Sequence, residues 1–408
     1  MTLELLKGVR VLELAIEILG NQAPSVIADL GADVIKIEPP PVGDYVREIW
    51  PIKSRDEATQ MTRIGVSHLI FNRNKRSIAL DFKQPEAREI FYKLLETTDV
   101  VFDLSVPGTR QKLGVDYESC RRHKKDIVYV SLSGFGATGP YATMPSHGYA
   151  APSLLGDVEP IRQADGTYRI GETTARDRML APTQAAVAML AGLVHRNNTG
   201  EGCWLETSML DCGVYSKYLE TFQHFNPAHP CGMPGVGSPR YNAYETSDGK
   251  FVLFCPIERK FWERFCAAVE RPDLLWRYSN EGTHQNYGTD DNALYADLAL
   301  LFKTRSQSDW VGLCRAASVP CTPLGPFEEL LENQEFMAAR ELLTPYHEER
   351  VGDQLMLPSF PVRRPGHRFA VERPAPNVGQ HNDEILKELG YSETEADRFR
   401  KQRTIFGG

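Results

Sequence analysis

Positive charge is not in excess in this sequence: 46 Lys and Arg stand against 54 Asp and Glu, a formal net charge of −8. Such a balance argues against a nucleic-acid surface as the main partner. It leaves room for a local basic pocket facing a phosphorylated ligand. Cysteine is sparse and scattered, eight residues at 120, 203, 212, 231, 255, 266, 314 and 321. No two are spaced C-x-x-C and none lies near a His at zinc-type spacing, so reduced thiols in a cytoplasmic protein are expected. No apolar run approaches the ~20 residues of a membrane span. The opening stretch MTLELLKGVRVLEL passes straight into a strand and does not read as a signal peptide. There is no G-x-x-x-x-G-K-S/T, no G-x-G-x-x-G after the first strand, no H-E-x-x-H and no G-x-S-x-G. Phosphate-loop, zinc-peptidase and serine-elbow chemistries are thereby set aside. No metal, nicotinamide, flavin, nucleic acid or membrane is expected as a partner.

What is present is the pattern of a two-domain α/β protein. At 408 residues the chain exceeds one ordinary core. With 42% hydrophobic and 25% charged residues it has the composition of a soluble globular protein. VRVLEL (9–14) reads as a buried strand, SVIADLGA (25–32) as a helix stopped at Gly31, and DVIKIE (33–38) as a second strand stopped by Pro39, Pro40 and Pro41. Such β-α-β units wind parallel sheets. SIALDF, PEAREIFYKLLETT, DVVFDL and DIVYVSLSGFG repeat the alternation, the second being an amphipathic helix opened by Pro85. Ligands of such open sheets bind beyond the carboxyl ends of the strands. A long helix is expected over Leu180–Arg196, ended by the Gly-rich NNTGEG. Pro and Gly crowd Asn226–Arg240, a candidate linker or lid. The texture then changes to a hairpin turning at Asp248-Gly249 and further helices. A large domain from 1–224 and 326–408, with a smaller α+β domain at 225–325, is the expected organisation, closed by a helix at Asn382–Leu389.

Five blocks carry a family resemblance: GVRVLELA…LGADVIKIEPPPVGD, FNRNKRSIALDFKQPE, VPGTRQKLGVDYE, YVSLSGFGATGPYA and HRNNTGEGCWLETSMLD. In this order, and spanning nearly the whole chain, they resemble the class III CoA-transferases, the CaiB/BaiF family, which also includes α-methylacyl-CoA racemases. The resemblance implies a Rossmann-like large domain with an inserted small one, and two chains interlocked as a homodimer or as a heteromer with a homologous chain. It implies acyl-CoA as donor, a carboxylic acid as acceptor, and CoA as substrate.

The same resemblance assigns residues. Family transferases use an Asp before the long helix to carry CoA as an aspartyl thioester, and Asp177 is the only Asp near that position. Its one-residue register offset and the following Arg178, where a small residue is usual, depart from the transferase pattern. His147 stands where the racemases carry their His, and Glu258 in CPIERKFW where the family often has a Glu. For the nucleotide end of CoA, Lys83 and Lys112 match basic positions, Leu80 and Leu113 flank the adenine, and Arg76 is a further candidate. Gly134 and Gly136 in SGFGATG would permit close approach of backbone donors to a reacting carbonyl, or simply turn the chain after a strand. Ile18–Asn21 and Asp103–Gly108 replace the usual Q-A-G-P and E-N-F-x-P-G. Three activities are therefore expected as alternatives: CoA transfer between acids, epimerisation by a His147/Asp177 pair, or a non-catalytic subunit of a heteromeric transferase.

Overall fold

The computed structural model describes residues 3–52, 64–171, 177–232, 237–278, 286–288 and 291–407 and, for residues 177, 178 and 353, the backbone alone. In chain order the first elements are β1 (Arg10–Leu14), α1 (Glu17–Asp29), β2 (Asp33–Glu38), α2 (Val66–Asn72), β3 (Lys75–Ala79), α3 (Pro85–Leu95), β4 (Val100–Leu104), α4 (Thr109–Leu113), α5 (Tyr117–His123) and β5 (Val128–Ser133). There follow α6 (Ala150–Leu154), the hairpin β6 (Pro160–Arg162) and β7 (Tyr168–Ile170), α7 (Asp177–Thr199), β8 (Cys203–Ser208), α8 (Met209–Ser216) and α9 (Tyr218–Phe225). Strands that are buried on both faces read as nearly continuous apolar runs, and β1, β2 and β4 approach this, with charged residues interrupting one face. Strands β1 to β5 and β8 form a six-stranded sheet of order β3-β2-β1-β4-β5-β8, parallel at every pairing. The chain lays β2 and β3 on one side of β1, then returns to lay β4 on the other. The strand order therefore reverses between β1 and β4.

Alternation along the strands sorts side chains into two layers. Leu12, Leu14, Ile35, Ile37, Ile78 and Val101 pack with Ile90, Phe91 and Leu94 of α3 and with Ile385 and Leu386 near the carboxyl terminus. Val11, Val34, Val100, Phe102, Val128 and Val130 pack on the opposite face under Ile27 of α1 and Ala185 and Met189 of α7. The two apolar layers are the doubly wound arrangement the sequence pattern predicts. The helix expected from Ser25 begins eight residues earlier, at Glu17. Its first turns escape a hydrophobic-periodicity reading because Asn21, Gln22 and Ser25 are polar and yet buried.

Contacts divide the chain into two compact units, Met1–Phe222 with Glu341–Gly408, and Gln223–Arg340. The smaller unit holds β9 (Asn242–Glu245), β10 (Phe251–Phe254), α10 (Arg259–Ala268), α11 (Asn292–Phe302), α12 (Gln307–Ala316), β11 (Cys321–Leu324), α13 (Phe327–Glu332) and α14 (Gln334–Ala339). The last two helices thus fall within this unit, whereas the sequence reading ends it at 325. Its sheet is antiparallel, ordered β11-β10-β9. The β9–β10 turn uses Gly249 at φ +74°, a conformation open to glycine at little cost. The core is aromatic: Tyr244 stacks on Phe302 at 4.9 Å, and Phe302 meets Trp310 at 4.7 Å.

The returning tail contributes the pair β12 (Leu343–Glu348) and β13 (Asp353–Pro358), then α15 (Asn382–Glu388) and α16 (Glu393–Lys401). Ser392 and Glu395 form a reciprocal capping box at the start of α16. Arg76 ties α15 to the sheet. Its guanidinium, on a side chain only 3% exposed, reaches Asp33 (2.6 Å), Glu384 (2.9 Å) and Glu388 (2.5 Å). Arg76→Ala would leave three carboxylates facing one another. Their partial exposure keeps the cost under the full penalty of a broken buried pair, so the free energy of urea unfolding is expected to fall by about 2–3 kcal/mol.

Candidate active site

A crevice opens where the strand order reverses, beyond the carboxyl ends of β1, β4 and β5. It is lined by the turn after β1 (Ile16, Glu17, Leu19), by Leu104, Ser105, Val106 and Pro107 after β4, and by Ser133, Gly134 and Phe135 after β5. Tyr45, Ala142, Met144–His147 and Met209 complete it, around ≈ 890 Å³ of space open to solvent. The walls are mainly apolar with a few polar groups, the usual composition of a small-molecule site. Arg110 fastens the two strands that flank the reversal. Its guanidinium donates to Asp103 Oδ1 at the end of β4 (2.5 Å) and to the Leu14 carbonyl at the end of β1. Gly134 is required by its neighbour: a Cβ there would lie 2.1 Å from Ser146 Oγ. Gly136 turns the chain at φ +89°, and its N–H donates to Ser133 Oγ at 3.0 Å. Gly134 to Gly139 has G-x-G-x-x-G spacing, but it lies after β5 and runs into turns rather than a helix, so it lacks the helix start on which a phosphate cradle depends.

A layer of buried charge lies behind the β1–α1 turn. Glu13, Lys36, Asp44 and Lys75 are all fully buried. Lys36 Nζ lies 2.8 Å from Glu13, 2.9 Å from Asp44, 2.7 Å from the Ala15 carbonyl and 2.5 Å from Asn21 Oδ1. Lys75 Nζ meets the other Glu13 oxygen at 2.6 Å. Asp44 accepts from the backbone N–H of Glu17 and Val46, both 3.0 Å, and from Asn21 Nδ2 at 2.8 Å. Burial alone would raise the Asp44 pKa, but the Lys36 charge and these hydrogen bonds outweigh it and hold the carboxyl well below the usual carboxylate range. The two lysines diverge. Burial lowers both, yet Lys36, with Asp44, Glu13 and Glu38 around it, ends above its usual value. Lys75 has Glu13 as its main counter-charge and Lys36 nearby, and it falls to about 8. Glu17 adopts φ +79°, a left-handed conformation costing about 1–2 kcal/mol in a residue with a Cβ. The sequence offered one signal for this layer: Glu13, Lys36, Glu38, Lys75 and Ser77 interrupt apolar strands on a single face, with Glu13 opposite Lys36 and Lys36 opposite Ser77.

The model of CoA-transferase family III matches residues 6–382. The chain belongs to this family. It is similar to the succinyl-CoA:mesaconate CoA-transferase of Haloarcula marismortui, 29% identical over 94% of this chain and 96% of the relative. It is also similar to the succinyl-CoA–L-malate CoA-transferase beta subunit of Chloroflexus aurantiacus, 25% identical over 98% of each chain. The fold matches the crystal structure of a CaiB/BaiF family protein from Brucella suis, with TM-score 0.70 and 24% identity over 94% of this chain and 98% of that one.

Among the residues this class III CoA-transferase family chain is expected to use, His147, Gly134 and the segment leading to Gly136 gather at the crevice. Lys83 is exposed in the turn after β3, and Lys112 is exposed on α4 after β4. Leu80 and Leu113 belong to one apolar layer. All four lie toward the carboxyl ends of their strands. Arg76 does not: it sits at the amino end of β3 within its three-carboxylate cage. Glu258, in the smaller unit, occupies the position before α10, and its carbonyl accepts from Phe261 and Trp262 N–H. Asp177 is the first residue of α7, while its side chain, the side chain of Arg178 and residues 172–176 lie outside the described residues. Among these described residues no helix is long and apolar enough to cross a membrane.

The buried Asp44 gives a pH signature. Its folded pKa lies below its ordinary 3.8, so its stabilisation is complete above pH 4 and is lost as pH falls through the folded value. Lys75 acts in the same sense in the alkaline range, adding stability as pH rises from about 8 toward its ordinary 10.5. Below pH 4, Asp44→Asn is expected to flatten the dependence of unfolding free energy on pH by up to about 1.4 kcal/mol per pH unit, the effect of one proton. Urea titrations at a series of acid pH values measure the slope.

Proposed function

We propose that the protein moves CoA between two carboxylic acids and that Asp177 carries the CoA in transit. The Asp177 carboxylate attacks the thioester carbonyl of an acyl-CoA, giving a mixed acyl–aspartyl anhydride and CoA thiolate. The thiolate attacks the aspartyl carbonyl, forming an aspartyl-CoA thioester and releasing the first acid as its carboxylate. The acceptor carboxylate attacks that thioester in turn, and the returning thiolate takes the new acyl group and regenerates Asp177. The reading is carried by the crevice at the strand reversal, an apolar recess with few polar groups, in a chain whose curated relatives bear CoA-transferase names. Asp177 opens a 23-residue helix, and a helix start favours a negative charge.

In this reading Gly134 and Gly136 keep the loop after β5 close to the reacting carbonyl. His147 is a polar group at the same recess, and Glu258 is assigned by resemblance alone. Lys83 and Lys112 meet the phosphates of CoA as charge-assisted donors, with Leu80 and Leu113 beside the adenine. A second chain, identical or homologous, completes the enzyme. A relative named as a beta subunit supports such a partner, as do Tyr215 and Tyr218, 74% and 72% exposed at the α8–α9 junction. Transfer is preferred to epimerisation because the similar curated proteins are named transferases.

The test is a donor–acceptor screen by mass spectrometry of CoA esters, with the purified chain alone and with a homologous chain added. Asp177→Ala is expected to lower kcat at least about 10³-fold without unfolding the protein. Retained turnover in a clean preparation contradicts the assignment.

A further inference from the structure

The turn between β1 and α1 is gripped from behind in an unusual way. The peptide groups on either side of Ile16 are held by opposite members of one buried ion pair. The carbonyl of Ala15 accepts from Lys36 Nζ at 2.7 Å, and the N–H of Glu17 donates to Asp44 Oδ1 at 3.0 Å. Asn21 joins both, accepting from Lys36 at 2.5 Å and donating to Asp44 at 2.8 Å. Asp44 is itself fixed, since its N–H donates to Glu38 and its carboxylate accepts from Val46 N–H. Helix α1 runs close to the strand ends at this point, since a Cβ on Gly20 would lie 2.8 Å from Ala15 Cβ and 3.0 Å from Leu104. The far side of this turn presents Ile16 and Glu17 to the crevice, with Glu17 in the left-handed region at φ +79°.

We infer that Lys36, Asp44 and Asn21 are positioning residues: their buried cluster holds the strained β1–α1 turn in place and thereby fixes the wall of the crevice that Ile16 and Glu17 form. An ordinary parallel sheet needs no charge behind a strand end, and two fully buried charges carry a desolvation cost that apolar packing would avoid. What the pair supplies in return is direction. An ammonium and a carboxylate bind a carbonyl and an N–H with stronger, shorter hydrogen bonds than neutral groups would, and those bonds oppose the relaxation of Glu17 to negative φ. Preorganised walls matter most where small displacements cost large factors in rate. The kinetic consequence rests on the transfer reading above; the clamp itself does not.

The experiment is a double-mutant cycle of Asp44→Asn with Glu17→Gly, read by hydrogen–deuterium exchange of the peptide covering residues 15–21 and by steady-state transfer kinetics. Asp44→Asn is expected to keep its circular dichroism and cooperative unfolding, while exchange at the start of α1 quickens at least tenfold. It is expected to lower kcat at least tenfold with a change in acyl-CoA KM under threefold. Glycine adopts φ +79° without strain, so with Gly at position 17 the Asp44→Asn penalty in both readouts is expected to shrink to threefold or less. An equal penalty in both backgrounds, or unchanged exchange in Asp44→Asn, overturns the clamp. Should Asp44→Asn fail to fold, Asn21→Ser takes its place in the cycle with the same criteria. A parent chain that transfers no CoA, while exchange follows this pattern, refutes the transfer reading and upholds the clamp.

Discussion

Two opposite charges without access to water, on Lys36 and Asp44, lie beneath the turn that leaves the central strand of the large unit. The carboxyl ends of β1 and β2 are referred to them. Lys36 is anchored through Glu13 on β1, Asp44 through the backbone that follows β2, and Asn21 brings in α1. Loss of the Lys36 charge would leave the Asp44 carboxylate buried without its cation, at a cost of about 3–5 kcal/mol, whereas Lys36 keeps Glu13 at 2.8 Å when the Asp44 charge is removed. The β1–α1 turn, the loop after β2 and the first turn of α1 are consequently set as one body. Across the reversal point Arg110 makes the complementary tie, from the Leu14 carbonyl to Asp103. The crevice is thus framed on two sides by hydrogen bonds whose donors are cations.

That frame suits acyl transfer between carboxylates. The reaction needs little from the protein besides an ionised nucleophile, donors for a developing oxyanion and exclusion of water from an anhydride. The recess beyond β1, β4 and β5 is mainly apolar, and two of its few polar groups are engaged by neighbours. Ser105 is held by Asp103, and Ser133 is engaged by the Gly136 amide. Gly136 N–H is therefore already committed, which shifts attention to neighbouring backbone donors of the loop for any oxyanion. Arg76, expected from its motif to meet CoA, instead serves the joint between the sheet and α15. A basic residue inside a family-like block is a poor guide to a phosphate when acidic partners arrive from the distant tail.

Much of the fold was legible because apolar alternation and Pro/Gly stops are local. DVIKIE is β2 to the residue, the long helix extends the expected Leu180–Arg196 to Asp177–Thr199, and the Asp248-Gly249 turn joins β9 to β10. The early start of α1 was hidden because its inward face carries Asn21, Gln22 and Ser25, which look solvent-facing until their buried partners, Lys36 of β2 for Asn21, are known. The same blindness applied to the site. His147 and Gly134, singled out by motif position, line the crevice, whereas Ile16, Glu17 and Tyr45 have no sequence mark and reach its wall only through topology. Of the buried charge cluster, Glu13, Lys36 and Lys75 leave a trace as interruptions of apolar strands, whereas Asn21 and Asp44 alone resemble ordinary surface residues.

The proposed aspartyl-CoA thioester on Asp177 is a covalent species that can be trapped. It is tested most directly by incubating the protein with an acyl-CoA that it turns over, quenching with hydroxylamine, which converts an aspartyl thioester to a hydroxamate, and mapping the modification by mass spectrometry. The account predicts a hydroxamate confined to the peptide containing Asp177 and dependent on acyl-CoA. Transfer that proceeds with that peptide unmodified, or with the adduct on another carboxylate, would contradict it.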